Sequence, residues 1–122
     1  MKQAGAEQVR AEDNGDVVFL YKDSMYCLNT DSVPFVSFIG VAEFTDAVEY
    51  GALRLIIYEV NKTNVNLSIQ LDEESNQIAC AIGTCAQNCD DLIRFLPHLH
   101  NRYHMAVAEL MNRYLTKTLH NM

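Results

Sequence analysis

Apolar and polar residues alternate without a break from Val65 to Leu71 (VNLSIQL), and the alternation returns over Gln77 to Ile82 (QIACAI). A strand turns successive side chains to opposite faces. Val65, Leu67, Ile69 and Leu71 therefore share one face of the first run, and Ile78, Cys80 and Ile82 share one face of the second. Between them, Asp72-Glu73-Glu74-Ser75-Asn76 is polar, acidic turn chemistry. The pattern predicts an antiparallel hairpin with one wet face and one apolar face that needs a cover. A hairpin alone is marginal in water, so helices on either side must supply that cover.

The chain before the hairpin reads as strands and then a helix. Asp16 to Lys22 (DVVFLYK) predicts a strand with Val17, Phe19 and Tyr21 on one side. Met25 to Leu28 and Val33 to Ile39 (VPFVSFI) predict two more, split by polar turns at Asp23-Ser24 and Asn29 to Ser32. Pro34 lacks a backbone donor and belongs at a strand start or on an edge, and Gly40 ends or bends the run. Ahead of them, Ala4 to Glu12 predicts a short amphipathic helix with Ala6 and Val9 inward, closed by an Asn14-Gly15-Asp16 turn.

Asp46 is a good N-cap, with Glu49 three residues on in a variant of the capping box. The helix it opens runs to about Asn61, with Val48, Ala52, Leu55, Ile56 and Val60 at helical spacing and Leu53 and Ile57 widening the stripe. So wide a stripe implies burial on more than one side. After the hairpin, Gly83 to Asn88 is a loop. Asp90 and Asp91 then suit the first turn of a final helix carrying Leu92, Leu96, Leu99, Tyr103, Ala106, Leu110 and Tyr114. Pro97 falls inside that stripe and predicts a kinked or two-part helix. The expected fold is α+β: an antiparallel sheet with helices packed on one face, in the order α-β-β-β-α-β-β-α. Residues 1–122 form a single domain, with 1–15 a short or frayed helix.

At 122 residues the chain can build one real core. A net charge of −7 disfavours nucleic acid and anionic membrane surfaces, because phosphate contacts need Lys and Arg. Arg94, Arg102 and Arg113 are spread along the last helix rather than gathered. No apolar run approaches the roughly 20 residues that span a bilayer. The start lacks the apolar core of a secretion signal, so the expected compartment is the cytoplasm. Cys27, Cys80, Cys85 and Cys89 read as free thiols in a chain of this size.

Candidate chemistry is thin. His100 and His104 are spaced to place two imidazoles on one metal, but Asn101 stands where a His-Glu-x-x-His motif has its acid. A polar flank of an amphipathic helix is the favoured reading of the pair. Cys85-x3-Cys89 matches neither redox nor zinc spacings. A helix N-terminus favours the Cys89 thiolate, while Asp90 and Asp91 oppose it. There is no glycine-rich phosphate loop and no Gly-x-Ser-x-Gly elbow. The sequence thus predicts a protein without enzymatic activity, and no catalytic, cofactor-binding or metal residue is assigned. The alternative is a metal- or thiol-dependent protein using His100/His104 and Cys85/Cys89. The apolar run Phe35, Val36, Phe38, Ile39 and Val41, with Met25, Met105 and Met111 as adaptable surface, is core, a partner groove or a homodimer face.

Three stretches resemble YbjN-domain proteins and, more distantly, the type III secretion chaperone-like family. They are Leu55 to Asn64, entering the hairpin through an asparagine; the Val65 to Ile82 hairpin; and Asp91-Leu92-Ile93-Arg94-Phe95-Leu96, opening the final helix. With Asp16 to Tyr21 as leading strand, the likeness covers about residues 16 to 115. The first helix and Pro97 depart from it. The resemblance implies an α-β-β-β-α-β-β-α sandwich, often dimeric, without enzymatic activity and with a link to regulation. Secretion chaperones of similar shape hold an extended partner segment across apolar patches. The expected partner is therefore a protein or a second copy, not nucleic acid or membrane, and no cofactor is expected.

Overall fold

The computed structural model describes residues 5–12, 16–32, 35–44, 48–86 and 88–120. They form β1 (Glu7–Ala11), β2 (Val17–Tyr21), β3 (Ser24–Ser32), β4 (Phe35–Glu43), α1 (Tyr50–Thr63), β5 (Leu67–Asp72), β6 (Gln77–Cys85) and α2 (Cys89–His120). The strands make one six-stranded antiparallel sheet in the order β1-β2-β3-β4-β6-β5. The fold is α+β, with both helices contributing to one core on one side of the sheet.

Strand register decides which apolar residues meet. Phe19 stands opposite Tyr26, Leu28 opposite Phe38, Phe38 opposite Ile82, and Ile82 opposite Leu67. Cys80 stands opposite Ile69 and Gly40. All these side chains share one face, and the non-glycine ones are buried. Against them pack Ala52, Leu53, Ile56, Ile57 and Val60 of α1 and Leu96, Leu99, Tyr103, Ala106 and Leu110 of α2. The core face predicted for the hairpin is the observed one at Leu67, Ile69, Ile78, Cys80 and Ile82. Val65 departs: it lies in the turn before β5 and is exposed.

The chain opens with a strand, not the helix expected over Ala4 to Glu12. Glu7 pairs with Leu20, Arg10 with Val18 and Ala11 with Val17, with a register shift between Glu7 and Arg10. Gln8, at φ +53°, sits in that bulge. So short a helix is marginal by itself. The free edge of β2 offers main-chain hydrogen bonds instead, while Ala6 and Val9 still turn toward the core. The Asn14-Gly15 turn and Pro34 lie outside the described residues.

Helix α1 starts at Tyr50, and Glu49 before it makes no side-chain cap. Asp46, the expected cap, lies outside the described residues. Leu55 is 58% exposed, so the helix is buried along one stripe rather than on more than one side. α2 and β5 cover that stripe, and nothing described covers Leu55. Helix α2 runs unbroken through Pro97, so it is not two-part. Asn88 Oδ1 accepts from the Asp91 N–H at 3.0 Å and caps it. Strands β3, β4 and β6 are each longer than expected, and β4 continues through Gly40.

Gly40 does not end its strand, which keeps its register with β6 on either side of it. It makes room for a ring. A Cβ built there would lie 2.4 Å from Tyr103 Cε2 and 2.7 Å from Cζ. The Tyr103 ring lies on this bare patch of sheet and meets Tyr26 edge-on, with centroids 5.4 Å apart. This fixes how close α2 lies to the sheet. Gly40→Val is expected to cost about 2–4 kcal/mol in urea unfolding, because the interior has no slack for the added atoms. Adding Tyr103→Ala should give a combined loss clearly below the sum of the two.

Candidate protein-interaction surface and histidine cluster

The same alternation that buries one face of the sheet fills the other with the remaining residues. Across the middle run Val18, Cys27, Ile39, Ala81 and Ser68, partners strand by strand. Leu20 and Met25 pair beside them, as do Val41, Ala79 and Gln70. Met25 is 46%, Val41 49% and Phe35 65% exposed. None of Val18, Leu20, Met25, Ile39 or Val41 belongs to the packed core or its flank. The dense apolar run of β4 is thus split: Val36 and Phe38 are core, while Phe35, Ile39 and Val41 face outward. Among the described residues, charge stands toward the margins of this outer face: Glu7 and Arg10 on β1, Glu43 and Asp72 at one end, and at the other end Asp16, whose carboxylate accepts from the Cys27 thiol at 3.7 Å. An apolar centre with a polar rim is the anatomy of a binding surface.

The sheet edges are less inviting. Asn61 of α1 donates from Nδ2 to the Ile69 carbonyl at 3.0 Å and accepts from the Ile69 N–H at 2.7 Å. One side-chain amide thereby stands in for a neighbouring strand and plugs the outer edge of β5. At the other edge, β1 is short, bulged and charged.

The arginines of α2 are engaged. Arg94 pairs with Asp91, Arg102 donates to the Val65 carbonyl, and Arg113 pairs with Glu109 at 2.9 Å and approaches Glu59 at 3.7 Å. Such exposed pairs stabilise by at most about 1 kcal/mol each, but they commit the cations.

His100 and His104 do come together, with ring centroids 4.4 Å apart. They meet the start of β3. The Tyr26 hydroxyl lies 2.5 Å from His100 Nδ1, and Ser24 Oγ lies 3.3 Å from His104 Nε2. Burial pushes the Tyr26 phenol up to about 12. It is therefore protonated at neutral pH and donates to Nδ1, leaving the His100 proton on Nε2. Burial, then His104 and Lys22, hold the His100 imidazole below its ordinary value of 6.5. Its ring also meets Tyr21 edge-on at 5.1 Å. Nothing local in the sequence points to this cluster, since Tyr26 and His100 are 74 residues apart.

The cysteines do not join it. Cys85 stands opposite Phe35, while Tyr26 stands opposite Gly40, five residues along β4 or roughly 16 Å away. Cys85 shares a cleft of about 450 Å³ with His98, Arg102 and Asn66 instead. Burial raises the Cys80 thiol to about 11, so it acts as an apolar core group. The Cys89 side chain lies outside the described residues. Cys27, Cys80 and Cys85 are free thiols. Among the described residues no group of three or more His, Cys, Asp or Glu is placed to hold a metal ion, and no helix is long and apolar enough to cross a membrane. Comparison of the chain with family models, curated proteins and solved structures finds no match.

The His100 environment sets a pH dependence. As pH falls through about 6.5 the unfolded chain takes up a proton at this position before the folded one does. Stability is therefore lost as pH falls below that value toward the lowered folded-state value. The melting temperature is expected to drop on going from pH about 7.5 to about 5.5, and His100→Gln, which keeps an acceptor for Tyr26, should flatten that slope. An unchanged slope would remove His100 as its source.

Proposed function

We propose that this chain is a non-enzymatic protein-interaction module, chaperone-like or regulatory, that binds a partner polypeptide through apolar surface. The observation that carries this reading is the outer sheet face around Ile39 and Val41, apolar at its centre, charged only at its margins and uncovered by either helix. Binding on the face is favoured over strand addition at an edge, because Asn61 occupies the hydrogen-bonding groups of Ile69. Kinship with YbjN-domain proteins and the wider secretion chaperone-like group is part of the proposal. It is supported by the central hairpin and the long final helix, and weakened by the strand at the N-terminal end. Free thiols at Cys27, Cys80 and Cys85 fit a reducing compartment such as the cytoplasm.

Isolated from its native host without an affinity tag, the chain is expected in an assembly larger than its own 13.8 kDa. Ile39→Asp, which places a carboxylate at the centre of the open face, should return it to monomer size with unchanged far-UV circular dichroism. A wild-type chain found only as monomer, or an assembly indifferent to Ile39→Asp, contradicts the reading.

A further inference from the structure

We infer that the occupant of the outer sheet face is a second copy of this chain, stacked sheet on sheet across the row Val18–Cys27–Ile39–Ala81. The inference rests on the reading of that face as an interaction surface and names its partner.

Area is the first argument. Six strands about 4.8 Å apart and about seven residues deep at 3.3 Å per residue give on the order of 650 Å² in plan. With its polar rim included, the face approaches the roughly 800 Å² per partner of a standard interface, and its apolar centre is carried by β2, β3, β4 and β6. A small occupant such as a single strand or helix would leave much of it wet.

Shape is the second. The centre is floored by Ala79 and Ala81, with Val18, Leu20, Ile39 and Val41 standing beside them. No helix or loop of the described core crosses it to make a groove. A broad twisted sheet without a groove fits another such sheet, stacked about 10 Å away at a shallow angle. A two-fold axis makes the patch its own complement, and each contact occurs twice.

Charge is the third. A chain of net charge −7 repels its copy unless the two meet where neither carries charge. The outer face meets that condition around Ile39, Val41, Ala79 and Ala81, since Glu7, Arg10, Glu43 and Asp72 stand at its margins and Asp16, which accepts from the Cys27 thiol, stands at the β2 end. An oppositely charged partner would find nothing there to recognise. The other exposed large apolar residues are scattered: Leu55 and Tyr58 on α1 span only one helical turn, Val65 lies in the turn before β5, and Met105 and Leu115 stand ten residues apart on α2.

Sedimentation of the purified recombinant chain tests this. The expected result is a species of twice 13.8 kDa, with a dissociation constant in the micromolar range or below. The constant should fall as salt is raised from about 0.01 M to about 0.15 M, because screening shortens from roughly 30 to 8 Å and weakens the mutual repulsion. Ile39→Asp should weaken self-association at least about 100-fold, since a two-fold interface feels the carboxylate twice. Tyr58→Asp should leave it unchanged. Where Ile39→Asp disturbs the circular dichroism, Val41→Lys serves in its place. A wild-type chain that stays monomeric overturns the dimer but leaves the partner reading standing if Ile39→Asp still dissolves the assembly from the native host. A dimer untouched by both face substitutions, or dissolved by Tyr58→Asp, overturns dimer and face together. So does self-association that weakens as salt rises.

Discussion

A sheet has two faces, and here two helices roof one of them. A helix with its side chains is about 10 Å wide, and six strands span about 29 Å. Helices α1 and α2 together span roughly 20–24 Å and are therefore taken up by a single side. Everything else follows from which residues the alternation sends to that side. Phe19, Tyr26, Phe38, Ile69, Cys80 and Ile82 go in, and their neighbours go out. Because β4 has apolar residues at both parities, the outward set is itself apolar. The core and the candidate surface are two consequences of one register.

The close seat of α2 is held by particular groups. Gly40 lets the Tyr103 ring approach the strand, and Tyr26 meets both that ring and His100. Asn76, at φ +54°, ties the hairpin to the chain entering α1: its backbone and side chain bond Phe44, and its amide oxygen accepts from the Tyr50 hydroxyl at 2.7 Å. These contacts join segments far apart in the chain. They align the helices on one face and leave no described element to cover the other.

Much of this was legible in the sequence, and the misses have physical reasons. The hairpin showed clearly because its two faces differ: Leu67 and Ile69 alternate with Ser68 and Gln70. The stripe of α2 showed because it holds helical phase from Leu92 to Tyr114. Strand β4 did not reveal its open side, because a strand apolar on both faces reads like one buried on both. Glu7 to Ala11 read as a helix because its pairing partner is supplied by tertiary structure, not by its own sequence. Leu55 read as core because periodicity shows which residues are apolar, not how many neighbours a helix has. The histidine pair was visible as a spacing, but its hydroxyl partners Ser24 and Tyr26 come from a strand far away in the chain.

Adjacent residues offer the most direct test of the two-sided register. Phe38 is fully buried and Ile39 faces outward, so the same substitution should have opposite weight at the two positions. Measured by urea unfolding of dilute protein, Phe38→Asp is expected to cost more than about 4 kcal/mol, as a carboxylate forced into the core does. Ile39→Asp should cost only about 1 kcal/mol, the loss of strand preference. Comparable costs at the two positions, or a greater one at Ile39, would contradict the account.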